Sequence, residues 1–182
     1  MTLRTGAALI ELIVFVLVTL GAIALSRGSL RNPTKHGFYR FYAFESILLL
    51  VLIEAPRWFT DPSSAQQIVS WLLLAGSIAL AGSGFYLLRR HGRPGGGIET
   101  TTRLARTGVY GFIRHPLYTS LLLFAWGTFF KSPSLTGGLL GALASAFLFA
   151  TAKVEEVECL QKFGPEYAEY MHATRMFIPF VF

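Results

Sequence analysis

The sequence predicts an all-α integral-membrane protein of five transmembrane helices followed by a helical tail. Composition, five well-spaced apolar runs and a lopsided distribution of basic residues lead to that expectation. Of the 182 residues, 53% are hydrophobic and 14% charged, whereas an ordinary soluble domain carries about 25% charged residues. Mean hydropathy is +0.52. A chain of this length is expected to form a single domain, residues 1–182.

The first run, 6–25, has 20 residues, enough to cross a hydrocarbon core of about 30 Å at about 1.5 Å per residue. Its Ala22-Ile23-Ala24 end faintly resembles a signal cleavage site. The apolar stretch is too long and its start too weakly basic for that reading, so a span is expected. A basic connection, Arg27 to Arg40, leads to the second run at 41–59, which holds Glu45 and Glu54. Charges inside a span usually face a bundle interior or a cavity; Glu54 is expected to pair with Arg57, and Glu45 either to pair near Arg40 or to reach a substrate pocket. Asp61-Pro62-Ser63-Ser64 has turn chemistry, and 68–88 is the third span.

Residues 89–107 are polar, basic and glycine-rich, hence a loop, in which Gly95-Gly96-Gly97 supplies flexibility. Pro116 starts the fourth span, 116–130, because proline has no N–H to lose and suits the first helical turn, with His115 as cap. Lys131-Ser132-Pro133-Ser134 turns the chain into the fifth span, 135–152. There Gly137, Gly141 and Ser145 fall four apart, a spacing that lets helices approach closely. The helix is expected to continue past the membrane to Phe163, where Gly164-Pro165 stops it, and 153–182 forms the tail.

With this topology thirteen Lys and Arg residues fall on one side and three (Arg4, Arg57 and Lys131) on the other. That asymmetry places the loops at 26–40 and 89–114 and the tail in the cytoplasm. It also accounts for the net charge of +6 without a nucleic-acid partner. The single cysteine, Cys159, excludes an intramolecular disulfide and a cysteine-rich metal site, and no metal is expected.

Two motifs share the basic side. Arg114-His115-Pro116-Leu117-Tyr118 opens the fourth span, and about 40 residues on comes Glu155-Glu156, then Phe163-Gly164, Tyr167, Tyr170, Arg175 and Ile178-Pro179. This pattern, over roughly Leu104 to Pro179, resembles the isoprenylcysteine carboxyl methyltransferase and phospholipid methyltransferase superfamily of integral-membrane enzymes. The resemblance implies S-adenosylmethionine as cofactor, bound at the cytoplasmic membrane edge by the loop and tail. Leu104, Gly108 and Tyr110 would line the adenosine, Arg114, His115, Pro116 and Tyr118 would help hold the donor, and Glu155 and Glu156 would receive its amino group. Gly82-Ser83-Gly84 matches a Gly-x-Gly that relatives carry in an earlier span. Ser120 departs from the glycine usual two residues after the motif tyrosine.

The residue chemistry agrees with such a donor. A sulfonium nucleoside carrying an ammonium and a carboxylate needs anions, a cation or helix N-terminus, and flat apolar walls. Arg175 could pair with a carboxylate acceptor, and with Glu156 it is the expected catalytic residue; Glu45 is the candidate for the acceptor pocket. These choices favour carboxyl O-methylation of isoprenylcysteine type, with a lipophilic or lipidated acceptor among membrane lipids. Phospholipid N-methylation is an alternative. Membrane sterol reductases using NADPH also resemble the tail, and a scaffold without cofactor affinity is a third reading.

Overall fold

The structure, a computed structural model, describes residues 2–92 and 101–180; Gly95-Gly96-Gly97 lies outside them. Among the described residues six α-helices follow one another: α1 (Thr2–Leu30), α2 (His36–Glu54), α3 (Ala65–His91), α4 (Pro116–Phe129), α5 (Leu135–Phe163) and α6 (Pro165–Ala173). There is no strand among the described residues, and an isolated parallel bridge joins Ile113 to Arg175.

The helix boundaries follow local chemistry. α4 starts at Pro116, and its first backbone bond runs from Thr119 N–H to the His115 carbonyl at 2.9 Å. α5 starts behind Ser134, whose hydroxyl oxygen accepts from the Gly137 N–H at 3.0 Å. It stops at Gly164, whose φ of +58° lies in the left-handed region that glycine occupies without steric cost. Pro165 then opens α6.

Among the described residues three helical segments are long and apolar enough to cross a membrane: Leu9–Leu30, Ala65–His91 and Leu135–Phe163. The other two expected spans fall short of that. α4 has 14 residues, and a helix of that length reaches only about 21 Å. α2 has 19 residues but carries Arg40, Glu45 and Glu54. It also starts at His36 rather than at 41, and it ends at Glu54 rather than at 59. Pro56, which has no N–H to donate, diverts the chain there into a 3-10 turn, Ala55–Arg57.

α2 packs against α5, α3 against α4, and α1 on α2. The core joins Ala43, Ile47 and Leu50 of α2, Ala125 of α4, and Ala144, Leu148 and Ala152 of α5; Met176 and Phe177 of the tail complete it. Small residues hold α3 close to α4. The Ser70 and Ser77 hydroxyls donate to the Gly127 and Ser120 carbonyls, each at 2.7 Å, and Gly84 lies under Leu117. Ser120 fits this seam because its own hydroxyl turns back to the Leu117 carbonyl. Gly141 sits against the Trp126 ring, whose indole N–H donates to Ser145.

Of the two acids of α2, the buried Glu54 departs from expectation. Glu54 forms no ion pair with Arg57; it is fully buried beside Gly137, and neither carboxylate oxygen has a hydrogen-bond partner. Glu45 faces α1 and accepts a hydrogen bond from the Thr19 hydroxyl at 2.6 Å.

Candidate active site

The two sequence motifs meet at the end of the bundle where α4 begins and α5 runs out. The backbone brings them together. Arg114 N–H donates to the Arg175 carbonyl at 2.7 Å, His115 N–H to Met176 at 3.2 Å, and Arg175 N–H to Phe112 at 3.0 Å. The tail thus lies alongside residues 112–115 as a second strand would, and it presses Phe177 against the His115 ring.

Arg114 is the centre of the resulting network. Its Nε and Nη2 donate to Glu156 Oε1, each at 2.8 Å, while Nη1 donates to the Met171 and Thr174 carbonyls at 3.1 and 2.6 Å. Both side chains of this ion pair are buried. Removing one partner would leave the other charge desolvated and alone. The guanidinium therefore holds Glu156 and the tail together.

His115 lies between the two glutamates. Its Nδ1 is 3.7 Å from Glu155 Oε2 and its Nε2 3.6 Å from Glu156 Oε1, both longer than a hydrogen bond, and Nε2 is buried without a partner. The ring stacks on Tyr118, with centroids 5.4 Å apart and planes at 16°. His115 is the N-cap residue of α4, as expected, although its side chain makes no capping hydrogen bond. Glu155, a third exposed, leaves its carboxylate toward an opening.

That opening is a cavity of about 70 Å³ bordered by Leu104, Tyr110, Arg114, His115, Glu155 and Cys159, among others. Tyr110, Tyr167 and Tyr170 are all buried at its wall, and burial pushes their phenols well above the ordinary tyrosine range, so they stay neutral. The Tyr170 hydroxyl donates to the Tyr110 carbonyl at 2.7 Å. The segment 101–107 is clasped to the far side. Lys162 Nζ donates to the Thr101 carbonyl, and Arg106 pairs with Glu166 at 3.3 Å and lies over the Tyr170 ring.

Of the residues singled out from sequence, Leu104, Tyr110, Arg114, His115 and Glu155 border the cavity. Glu156 supports it through Arg114. Tyr118 acts through the His115 ring, and Pro116 through the α3 seam beside Gly84. Gly108 has φ +60° and closes over Leu87, where a Cβ would approach to 2.6 Å, so its place is the turn of the loop. Gly84 sits in the α3–α4 seam, while Gly82 faces outward with nothing within 4 Å of an added Cβ. Arg175 contributes its backbone, and its residue is exposed. Glu45 lies on the α1 side, away from these residues. Cys159, Phe163 and Tyr167, to which the sequence assigned no site role, also border the cavity. A signal for Cys159 was present, since it follows Glu155 by one helical turn.

Comparison with known proteins gives a consistent picture. The chain is 28% identical over 163 residues to methanethiol S-methyltransferase 1 of Bradyrhizobium diazoefficiens, covering 81% of this chain and 55% of that protein. Methanethiol S-methyltransferase 2 of the same organism is 29% identical over 157 residues, 78% of this chain and 59% of that one. The nickel-cobalt-cadmium resistance protein NccN of Alcaligenes xylosoxydans xylosoxydans is 26% identical over 146 residues, 80% and 66% of the two chains. The chain thus spans little more than half the length of the two methyltransferases it matches. The phospholipid methyltransferase family matches residues 65–166, more than half of the sequence and the stretch that carries α3, α4, α5 and the Arg114–Glu156 pair, so the chain belongs to that family.

Proposed function

We propose that this protein transfers a methyl group from S-adenosylmethionine to a small lipophilic acceptor, a low-molecular-weight thiol in first place. The observation that carries the reading is the cavity at the junction of α4 and α5, which Glu155 and His115 both border, with His115 Nδ1 3.7 Å from Glu155 Oε2. When bound, S-adenosylmethionine would supply a methyl carbon activated by its sulfonium, open to in-line attack by an acceptor lone pair with S-adenosylhomocysteine as the leaving thioether. The residues present fit it chemically. Glu155 offers a carboxylate for an ammonium, Tyr110 and Leu104 offer flat and apolar wall, and Glu156, fixed by Arg114, keeps negative charge beside a cationic ligand.

The chain's own contribution is alignment in a dry site, which suits a displacement reaction. A thiol acceptor must lose its proton, because the thiolate is the nucleophile; His115, whose ring borders the cavity, is the base we assign to take it. Ligand pockets usually offer about 300–1,000 Å³, far more than the about 70 Å³ present. Binding therefore requires the segment 101–107 to move off α5 and α6, parting the Lys162–Thr101 and Arg106–Glu166 contacts.

The methanethiol methyltransferases among the relatives support the thiol reading. The carboxyl reading rested on Arg175, and that residue is exposed, so isoprenylcysteine drops behind. We further propose five membrane-crossing helices with the site on the cytoplasmic side, from the distribution of basic residues. Three acceptors test the reading: purified protein is given S-adenosylmethionine with methanethiol, with a farnesylated cysteine, or with phosphatidylethanolamine. Dimethyl sulfide in the headspace is expected. Methyl transfer to either of the other acceptors alone would reassign the substrate, and transfer to none would refute the activity.

A further inference from the structure

The outer face of α3 carries a second feature, independent of the methyl-transfer site. Ile78, Gly82, Phe85, Tyr86 and Arg89 fall at i, i+4, i+7, i+8 and i+11, one stripe of the helix, and Arg90 adjoins it. All are exposed, Ile78 at 75% and Tyr86 at 57%. Phe85, Tyr86, Arg89 and Arg90 line an open groove of about 670 Å³. Gly82, one turn further along, leaves bare backbone with nothing within 4 Å of an added Cβ, so the groove continues as a notch.

The arginines are arranged rather than merely present. Arg90 Nη1 donates to the Tyr86 hydroxyl and its guanidinium carbon lies 5.8 Å from the Tyr86 ring centre, so the side chain is held at the groove wall. No carboxylate among the described residues lies within ion-pair distance of Arg89 or Arg90. Two guanidinium groups beside exposed aromatic rings, at the end of an apolar helix, match a phosphate headgroup above an acyl chain.

We propose that this groove binds one anionic phospholipid, its phosphate on Arg89 and Arg90 and one acyl chain lying past Phe85 into the notch at Gly82. Charge complementarity selects an anionic headgroup over a zwitterionic one, and the notch selects a lipid over a free anion. The site does not depend on the catalytic reading, since Arg114, His115 and Glu155 lie off this stripe.

Native mass spectrometry of the delipidated full chain, titrated with dioleoyl phosphatidylglycerol or dioleoyl phosphatidylcholine, tests it. Each arginine at an anionic surface is worth about fivefold in affinity. Arg89→Gln with Arg90→Gln should therefore weaken phosphatidylglycerol binding about 25-fold and abolish its preference over phosphatidylcholine. Gly82→Leu, which fills the notch on an exposed helix face, should weaken binding of both lipids. Arg31→Gln, also exposed, should change nothing. Equal retention of the two lipids by the wild type, an unchanged double variant, an equal loss in Arg31→Gln, or full displacement by millimolar inorganic phosphate would each overturn the proposal.

Discussion

Both ends of the helical bundle bury charged side chains, yet only one end keeps its polar groups facing a cavity. At the α2–α3 turn and the end of α4, Lys131 is 1% exposed and held by partners of its own. Its ammonium donates to Gln67 Oε1 at 3.0 Å and sits 3.2 Å from the Trp71 ring centre, while Gln67 Nε2 returns a bond to the Lys131 carbonyl. At the other end, Arg114 is occupied as well, but it holds a glutamate whose neighbours, His115 and Glu155, have capacity left. Buried charge by itself therefore does not mark a site; a buried charge that orients unsatisfied groups around a cavity does. Glu54 sharpens the contrast, because it is buried and partnerless in close packing beside Gly137.

Four substitutions set these ends against each other, in falling order of effect. Arg114→Ala strands Glu156 and frees the tail, which should cost about 3–5 kcal/mol and abolish methyl transfer; thermal unfolding in detergent and a turnover assay read both. Lys131→Ala removes a desolvated cation from Trp71 and leaves Gln67 unsatisfied, a loss of about 2–4 kcal/mol. Turnover by the protein that remains folded should be unchanged, and a proportionate fall in both would erase the distinction between the ends. Glu54→Met replaces a partnerless carboxyl with an apolar chain of similar length, and should raise stability by about 1–3 kcal/mol; a lower unfolding midpoint would show that Glu54 has a partner in the membrane. Tyr170→Phe loses the bond to the Tyr110 carbonyl, about 1 kcal/mol, visible as a small drop in midpoint.

The sequence made some of this legible and hid the rest for physical reasons. Pro116, Ser134 and Gly164 declare helix ends through local backbone chemistry, and each acts where expected. The convergence of Arg114-His115 with Glu155-Glu156 followed from placing both motifs on one side. Partner choice was not legible. Arg114 turned out to be committed to Glu156 and two carbonyls, and Arg175 works through its main chain, because a side chain's partners depend on three-dimensional placement that no local pattern encodes. The expected Glu54–Arg57 pair failed for the same reason. Arg57 stays near enough to act on Glu54 electrostatically, but without a contact within ion-pair distance.

The most direct measurement is a titration of the detergent-purified wild type and of Glu155→Gln with S-adenosylhomocysteine and with NADPH, followed by thermal unfolding. At 100 times its dissociation constant, S-adenosylhomocysteine should stabilise the wild type by about 2.7 kcal/mol, the variant should need at least tenfold more ligand, and NADPH should have no effect. Equal affinity in the two proteins, or stabilisation by NADPH alone, would contradict the assignment of this cavity to a sulfonium nucleoside.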